Sequence, residues 1–219
     1  HGHFRNSEVR ESAVKSIKAG WTFMFSHRVL LAAMGLDMLV VLFGGVVAIL
    51  PAFADQILAT GSEGLGLLRA APAIGAGAMT VYLALFPPKA IQAKWLLYVM
   101  TGFGVSMIGF GLSHAVWIAM LWLVLSGMFD AVGMLIRQTL TQWLTPPAMR
   151  GRVSSVNSMF VISSNELGAF ESGSMAALLG LVPSIMFGGG MTLAIVALIA
   201  WKSPKLRHTV VDAESEAKA

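Results

Sequence analysis

"WLLYVMTGFGVSMIGFGLSHAVWIAMLWLVLSGMF", Trp95 to Phe129, runs for 35 residues without one Asp, Glu, Lys or Arg. A helix that crosses a bilayer needs roughly 20 mainly apolar residues, so this stretch is too long for one crossing. Gly111-Leu112-Ser113-His114 supplies a turn near its middle and divides it into two spans. Toward the N-terminus, further apolar runs lie at 64–86, with Arg69 near its start and Pro87-Pro88 at its end, and at 29–50, interrupted only by Asp37. Toward the C-terminus, the second half of the opening stretch extends over 115–144, through Asp130 and Arg137, to Pro146-Pro147. Runs at 153–179 and 183–201 follow. With 95–112, the expectation is an all-α membrane protein, a bundle of six transmembrane helices.

Composition agrees with that reading. Of 219 residues, 56% are hydrophobic and 12% are charged, with a mean hydropathy of +0.75; a soluble domain carries about 25% charged residues. Basic residues test the count of spans. They fall at Arg5, Arg10, Lys15, Lys18 and Arg28, then Lys89 and Lys94, then Arg150 and Arg152, then Lys202, Lys205, Arg207 and Lys218. The alternate loops, around Asp55 to Glu63, Ser113 to His114 and Gly180 to Val182, hold none. Cytoplasmic loops gather Lys and Arg, so both termini are expected on the cytoplasmic side. The same distribution accounts for the net charge of +4 without nucleic acid, which would need a clustered basic surface.

Several chemistries lack their residues. There is no cysteine, hence no disulfide framework and no thiolate metal site. Gly102-x-Gly104 has no third glycine three residues later and sits inside a span, and no GxxxxGK[ST] phosphate loop is present. The one His of the membrane region is His114, at an outer turn away from any nucleophile. No cofactor, no metal and no enzymatic activity are expected. The start lacks an initiator Met and a signal-peptide pattern, so His1-Gly2-His3 reads as the cut end of something longer. Residues 1–28 are read as a cytoplasmic linker. In it Val14, Ile17, Trp21 and Phe25 recur at helical spacing after Ser12 as N-cap. That amphipathic helix either lies on the cytoplasmic leaflet or packs on protein. The tail, 202–219, is polar from Thr209 and expected to be disordered.

Charge inside the spans is the functional signal. Asp37, Arg69, Asp130, Arg137, Glu166 and Glu171 fall in the first, second, fourth and fifth spans, and the third and sixth have none. A charge at the bilayer centre costs about 2.5–3.5 kcal/mol on insertion scales. The charged spans are therefore expected to face protein or a wet cavity, and the other two to face lipid. In "SSNELGAFESG", Ser163 to Gly173, Ser158, Asn165 and Ser172 form a seven-residue stripe that Glu166 borders. Glu166 and Glu171 are about 140° apart around a helix, so they have different partners. Either they fix packing between helices or they line a cavity. Asp130 and Arg137 share a face about 10 Å apart along the axis, too far to pair with each other. Arg137 either snorkels to the interface or engages another helix, a water or a substrate. A buried carboxylate with no cation beside it can hold a proton at physiological pH, which suits Asp37 and Asp130 to proton coupling.

The segment Phe129 to Gly190 closely resembles the tenth to twelfth helices of major facilitator superfamily exporters. Its most specific parts are Arg150-Gly151-Arg152-Val153 and Ser163 to Gly173. The branch is the one that includes enterobactin (siderophore) exporters and macrolide-efflux-like proteins. Leu68 to Thr80 resembles the family's eighth helix, and Trp21 to Asp37 the approach to its seventh. The Pro87 to Lys94 loop departs from the family, lacking the Gly-x-x-x-Asp-Arg-x-Gly-Arg signature. The resemblance implies the C-terminal half of a twelve-helix carrier whose N-terminal six-helix half is missing here. It further implies that Asp37, Asp130 and Arg137 line the substrate and proton pathway, and that Arg69, Asn165, Glu166 and Glu171 lie at the seam between halves. Arg150 and Arg152 would help close a cytoplasmic gate. The function expected is proton-coupled export, by alternating access, of a siderophore such as enterobactin or a bulky drug-like compound. Its partners would be membrane lipid, protons, the small-molecule substrate and the missing half. The alternative is a non-transporting six-helix scaffold or partner subunit.

Overall fold

Glycine and proline set where the helices stop. The structure, a computed structural model, describes residues 18–88, 90–202 and 210–212. Helix α1 (Lys18–Ser26) bends by 105° into α2 (Arg28–Gly44). At Gly45 the backbone becomes extended, with ψ 119°, and the short helix α3 (Leu50–Gln56) begins with Pro51 in its first turn, where the missing N–H is no loss. Ala59 and Gly61, with φ of 47° and 65°, turn the chain into α4 (Gly61–Leu85). Strand β1 (Ala90–Gln92) leads into α5 (Lys94–Gly111), and α6 (Val116–Leu144) follows the Ser113-His114 turn. Helix α7 (Pro147–Leu179) starts on a proline, ends at Gly180 with φ 93°, and passes directly into α8 (Leu181–Lys202).

Three differences from the sequence expectation have physical causes. The run 29–50 is not one helix, because Gly44-Gly45 releases the backbone before Pro51 starts the next. Helix α7 begins six residues before 153, because Pro147 has a fixed φ suited to a first helical position. The tail is ordered at β2 (Val210–Asp212), which pairs antiparallel with β1 in the register Ala90 with Asp212, Ile91 with Val211 and Gln92 with Val210. Val14, Ile17, His1 and His3, and the tail at 203–209 and 213–219, lie outside the described residues.

The fold is a helical bundle that carries one two-stranded sheet, β1 with β2. Among the described residues, α4, α6 and α8 are each long and apolar enough to cross a membrane, and the bent pair α1 and α2 passes the same test together. Helix α4 packs on α6, α5 on α6 and α8, and α2 on α7 and α8. Where α4 crosses α6 the contact is backbone on backbone. Gly75 meets the Val124 carbonyl, and Gly127 meets the Pro72 carbonyl. In lipid there is little hydrophobic drive between helices, so close packing of this kind supplies the attraction. One apolar core gathers Leu36, Val40, Leu96, Met100, Ile136 and Leu140; another gathers Phe53, Leu68, Phe110, Leu123 and Ile185. Helix α1 buries Met24 against Val153 and Val156 of α7 while Trp21 and Phe25 stay half-exposed, so it packs on protein with one face and leaves an aromatic face uncovered. Elsewhere Ile74, Val81, Trp117, Leu121, Phe170 and Leu178 are exposed, an apolar exterior suited to lipid or to another protein surface.

The crossing of α4 and α6 yields a test. Gly127→Val or Gly75→Val places methyl groups against the facing backbone and is expected to destabilise by about 1–3 kcal/mol or more. Gly190→Ala, where a Cβ meets nothing within 4 Å, is expected to be neutral. Thermal unfolding of the detergent-solubilised protein reads both.

Candidate functional site

Two helices far apart in sequence supply the ion pair seen among the described residues. Arg137 of α6 donates from Nη1 to Oδ1 of Asp37 on α2. Asp37 is 4% exposed and Arg137 8%. Their chain neighbours Leu36, Ile136, Val40 and Leu140 belong to the apolar core, so the pair sits in a low-dielectric setting. Either charge alone there would carry a desolvation penalty of several kcal/mol, which close pairing offsets only in part. Arg137 therefore does not snorkel; it reaches another helix. Its Nε remains without a partner.

Arg137 also forms the inner wall of a groove of about 730 Å³ between α6 and α7. Helix α6 adds Gln138, Thr141 and Gln142. Helix α7 adds Arg150, Ser154, Asn157 and Ser158. On each helix these residues recur at three- and four-residue steps and so share one face. The groove exists because α6 and α7, joined by the short Thr145-Pro146 turn, diverge and barely touch, while α7 packs on α2 instead. Among the described residues no acid lines it. Guanidinium, amide and hydroxyl groups stand among apolar Met134, Val161 and Ile162, a lining suited to an amphiphilic ligand that carries oxygen acceptors. Near its mouth, Arg150 Nε donates to the Thr145 carbonyl at 3.3 Å, and exposed Arg152 lies with Nη1 3.6 Å from the Met149 sulfur.

The remaining residues singled out from the sequence are dispersed. Asp130 is exposed on α6, one turn from Met134, which lines the groove. Arg69 on α4, and Asn165 and Glu166 on α7, are exposed on the outside of the bundle. Glu171 is half-buried, with Oε1 unpartnered and Oε2 3.5 Å from Ser172 Oγ. Ser172 donates to the Gly45 carbonyl at 2.6 Å, which ties α7 to the break after α2. The Ser158, Asn165 and Ser172 stripe divides: the first two are exposed, and Ser172 is buried where α7 meets the Gly45 backbone. Neither Asp130 nor Glu166 meets the Asp37–Arg137 pair. Sequence reasoning passed over Gln138, Thr141, Gln142, Ser154 and Asn157. Their signal was present as polar three- and four-residue periodicity on both sides of Pro146-Pro147.

The chain is similar to curated exporters. Enterobactin exporter EntS of Escherichia coli (strain K12) is 27% identical over 201 residues, which is 92% of this chain and 48% of that protein. The protein of the same name from Shigella dysenteriae serotype 1 (strain Sd197) is 26% identical over the same length, and that from Shigella boydii serotype 4 (strain Sb227) 27%. The chain thus spans about half the length of the curated relatives it matches. These relatives are major facilitator exporters, which are transporters and not enzymes. No protein-family model matches the chain, and no solved structure matches it. The exporter likeness and the apolar helices together point to a multi-pass inner-membrane protein.

The ion pair makes a separable prediction. Asp37→Leu or Arg137→Met alone leaves an uncompensated buried charge and is expected to destabilise by about 3–5 kcal/mol. The double variant is expected to recover most of that loss. Thermal unfolding of the three variants in detergent measures the coupling.

Proposed function

We propose that this chain is the C-terminal six-helix half of a major facilitator exporter. The observation that carries this reading is a groove between α6 and α7 lined by Arg137, which Asp37 of α2 holds from behind in a buried ion pair. Such a pair is no advantage to a bundle that only has to pack, since apolar side chains of similar volume are often as stable. It suits a protein that must expose polar walls to water and a solute in part of its cycle. The six spans of this half would be built on α2 with α3, α4, α5, α6, α7 and α8, with both termini cytoplasmic. The second half packs on the exposed faces that carry Arg69, Asn165 and Glu166, where charge would otherwise meet hydrocarbon. Glu171 lies at the edge of the same seam.

The substrate is an oxygen-rich siderophore such as enterobactin or a bulky drug-like compound. Enterobactin is the compound named for the similar exporters, and the donor groups of the groove match its acceptors. Rocking of one half against the other alternates access to the site. Arg150 and Arg152, beside the short turn between α6 and α7, act at the cytoplasmic gate. Asp130, exposed on the groove-facing stripe of α6, carries the coupling proton, and Arg137 orients substrate while held by Asp37.

Export from cells carrying the complete gene tests this. Asp130→Asn is expected to lower proton-driven efflux at least ten-fold, about 1.4 kcal/mol, with insertion and expression unchanged. Gln138→Ala with Asn157→Ala is expected to weaken export of a catecholate siderophore. Unchanged efflux in both variants would contradict the assignment. Efflux of a macrolide, and not of a siderophore, would redirect the substrate.

A further inference from the structure

A second cavity, which shares no lining residue with the groove, has no part in the transport reading. It lies between the start of α5 and the end of α8 and encloses about 590 Å³. Its floor is apolar, built by Leu97, Leu193, Val196 and Ala197, while Lys94 and Tyr98 stand among the residues that line it. No acidic residue lines it, and Lys94 forms no ion pair with a described residue. Trp95 and Tyr98, 52% and 66% exposed, meet edge to face at 6.3 Å, and such amphipathic rings favour the head-group level of a bilayer. Lys202, in the last turn of α8, adds a second positive charge at this end. The β1–β2 pairing joins the segment just before α5 to the segment beyond α8, so the two walls are tied together near the mouth of the cavity.

The geometry points to a bound anionic glycerophospholipid, with an acyl chain in the cavity and its phosphate at Lys94. Neither α5 from Trp95 onward nor α8 up to Trp201 contains Asp, Glu, Lys, Arg or His, so no charge along these two helices opposes contact with lipid. At its basic end the pocket combines an apolar slot with a cation that no acidic residue lining the pocket offsets. Basic pockets between transmembrane helices on the cytoplasmic side take anionic head groups. A zwitterionic lipid would fill the same slot but carries an ammonium that gains nothing from Lys94. The proposal rests on the membrane reading above and is independent of what is transported.

Native mass spectrometry of the full-length protein, purified in detergent and mixed with phosphatidylglycerol or phosphatidylcholine of identical acyl chains, tests it. Retained phosphatidylglycerol is expected to exceed phosphatidylcholine by roughly five-fold. Lys94→Gln is expected to abolish that preference while both lipids still bind and export is unchanged. Ala197→Phe, which fills the slot, is expected to remove both lipids. Equal retention of the two lipids by the unaltered protein would overturn the proposal, as would a preference that survives Lys94→Gln. Loss of export in the unaltered protein would count against the transport reading alone, because lipid retention is read without transport.

Discussion

The Asp37–Arg137 pair constrains the bundle because each charge is tolerable at that depth only while the other is present. Asp37 sits on α2 and Arg137 on α6, and both are enclosed by core residues such as Leu36 and Leu140. Separating the helices would expose each charge to an apolar wall, so the pair fixes the distance between α2 and α6. That fixed spacing in turn sets the groove. Helix α7 packs on α2 through Gly168 and Ser172, the latter bonded to the Gly45 carbonyl, and so it stands away from α6. The inner wall of the gap is Arg137 itself.

Small residues then hold the rest of the bundle around that gap. Gly75 and Gly127 bring the α4 and α6 backbones together, and α5 bridges α6 and α8. The result is asymmetric. The α6–α7 gap presents a groove of mixed polar and apolar lining, and the α5–α8 contact presents an apolar slot with Lys94 among its residues.

Much of the fold was legible in the sequence. The 35 uncharged residues from Trp95 to Phe129 can be accommodated only by two helices with a turn, and the structure places that turn at Ser113-His114. The α2 break was not legible from hydropathy, since Gly44-Gly45 lies inside an apolar run and only its hydrogen bonding marks it. The pairing of Asp37 with Arg137 could not be deduced either. They are 100 residues apart, and periodicity says which face a residue occupies, not which helix lies opposite. Strand β2 was hidden because a three-residue segment in a polar tail carries no periodic signal. Of the site, the charged members stood out by their cost in a membrane. The amide and hydroxyl members did not, because such residues are cheap enough to occur in any loop or helix.

The account stands or falls on whether water reaches the groove between α6 and α7. The chain contains no cysteine, so single cysteines at Gln138, Thr141 and Ser158 report without background from its own residues. The protein in native membranes would be treated with a membrane-impermeant maleimide from the side that bears Arg150 and Arg152. All three positions are predicted to react, while a cysteine replacing Val105, exposed on the outer face of α5, stays unreacted. Protection of positions 138, 141 and 158 as complete as that of position 105 would contradict the account.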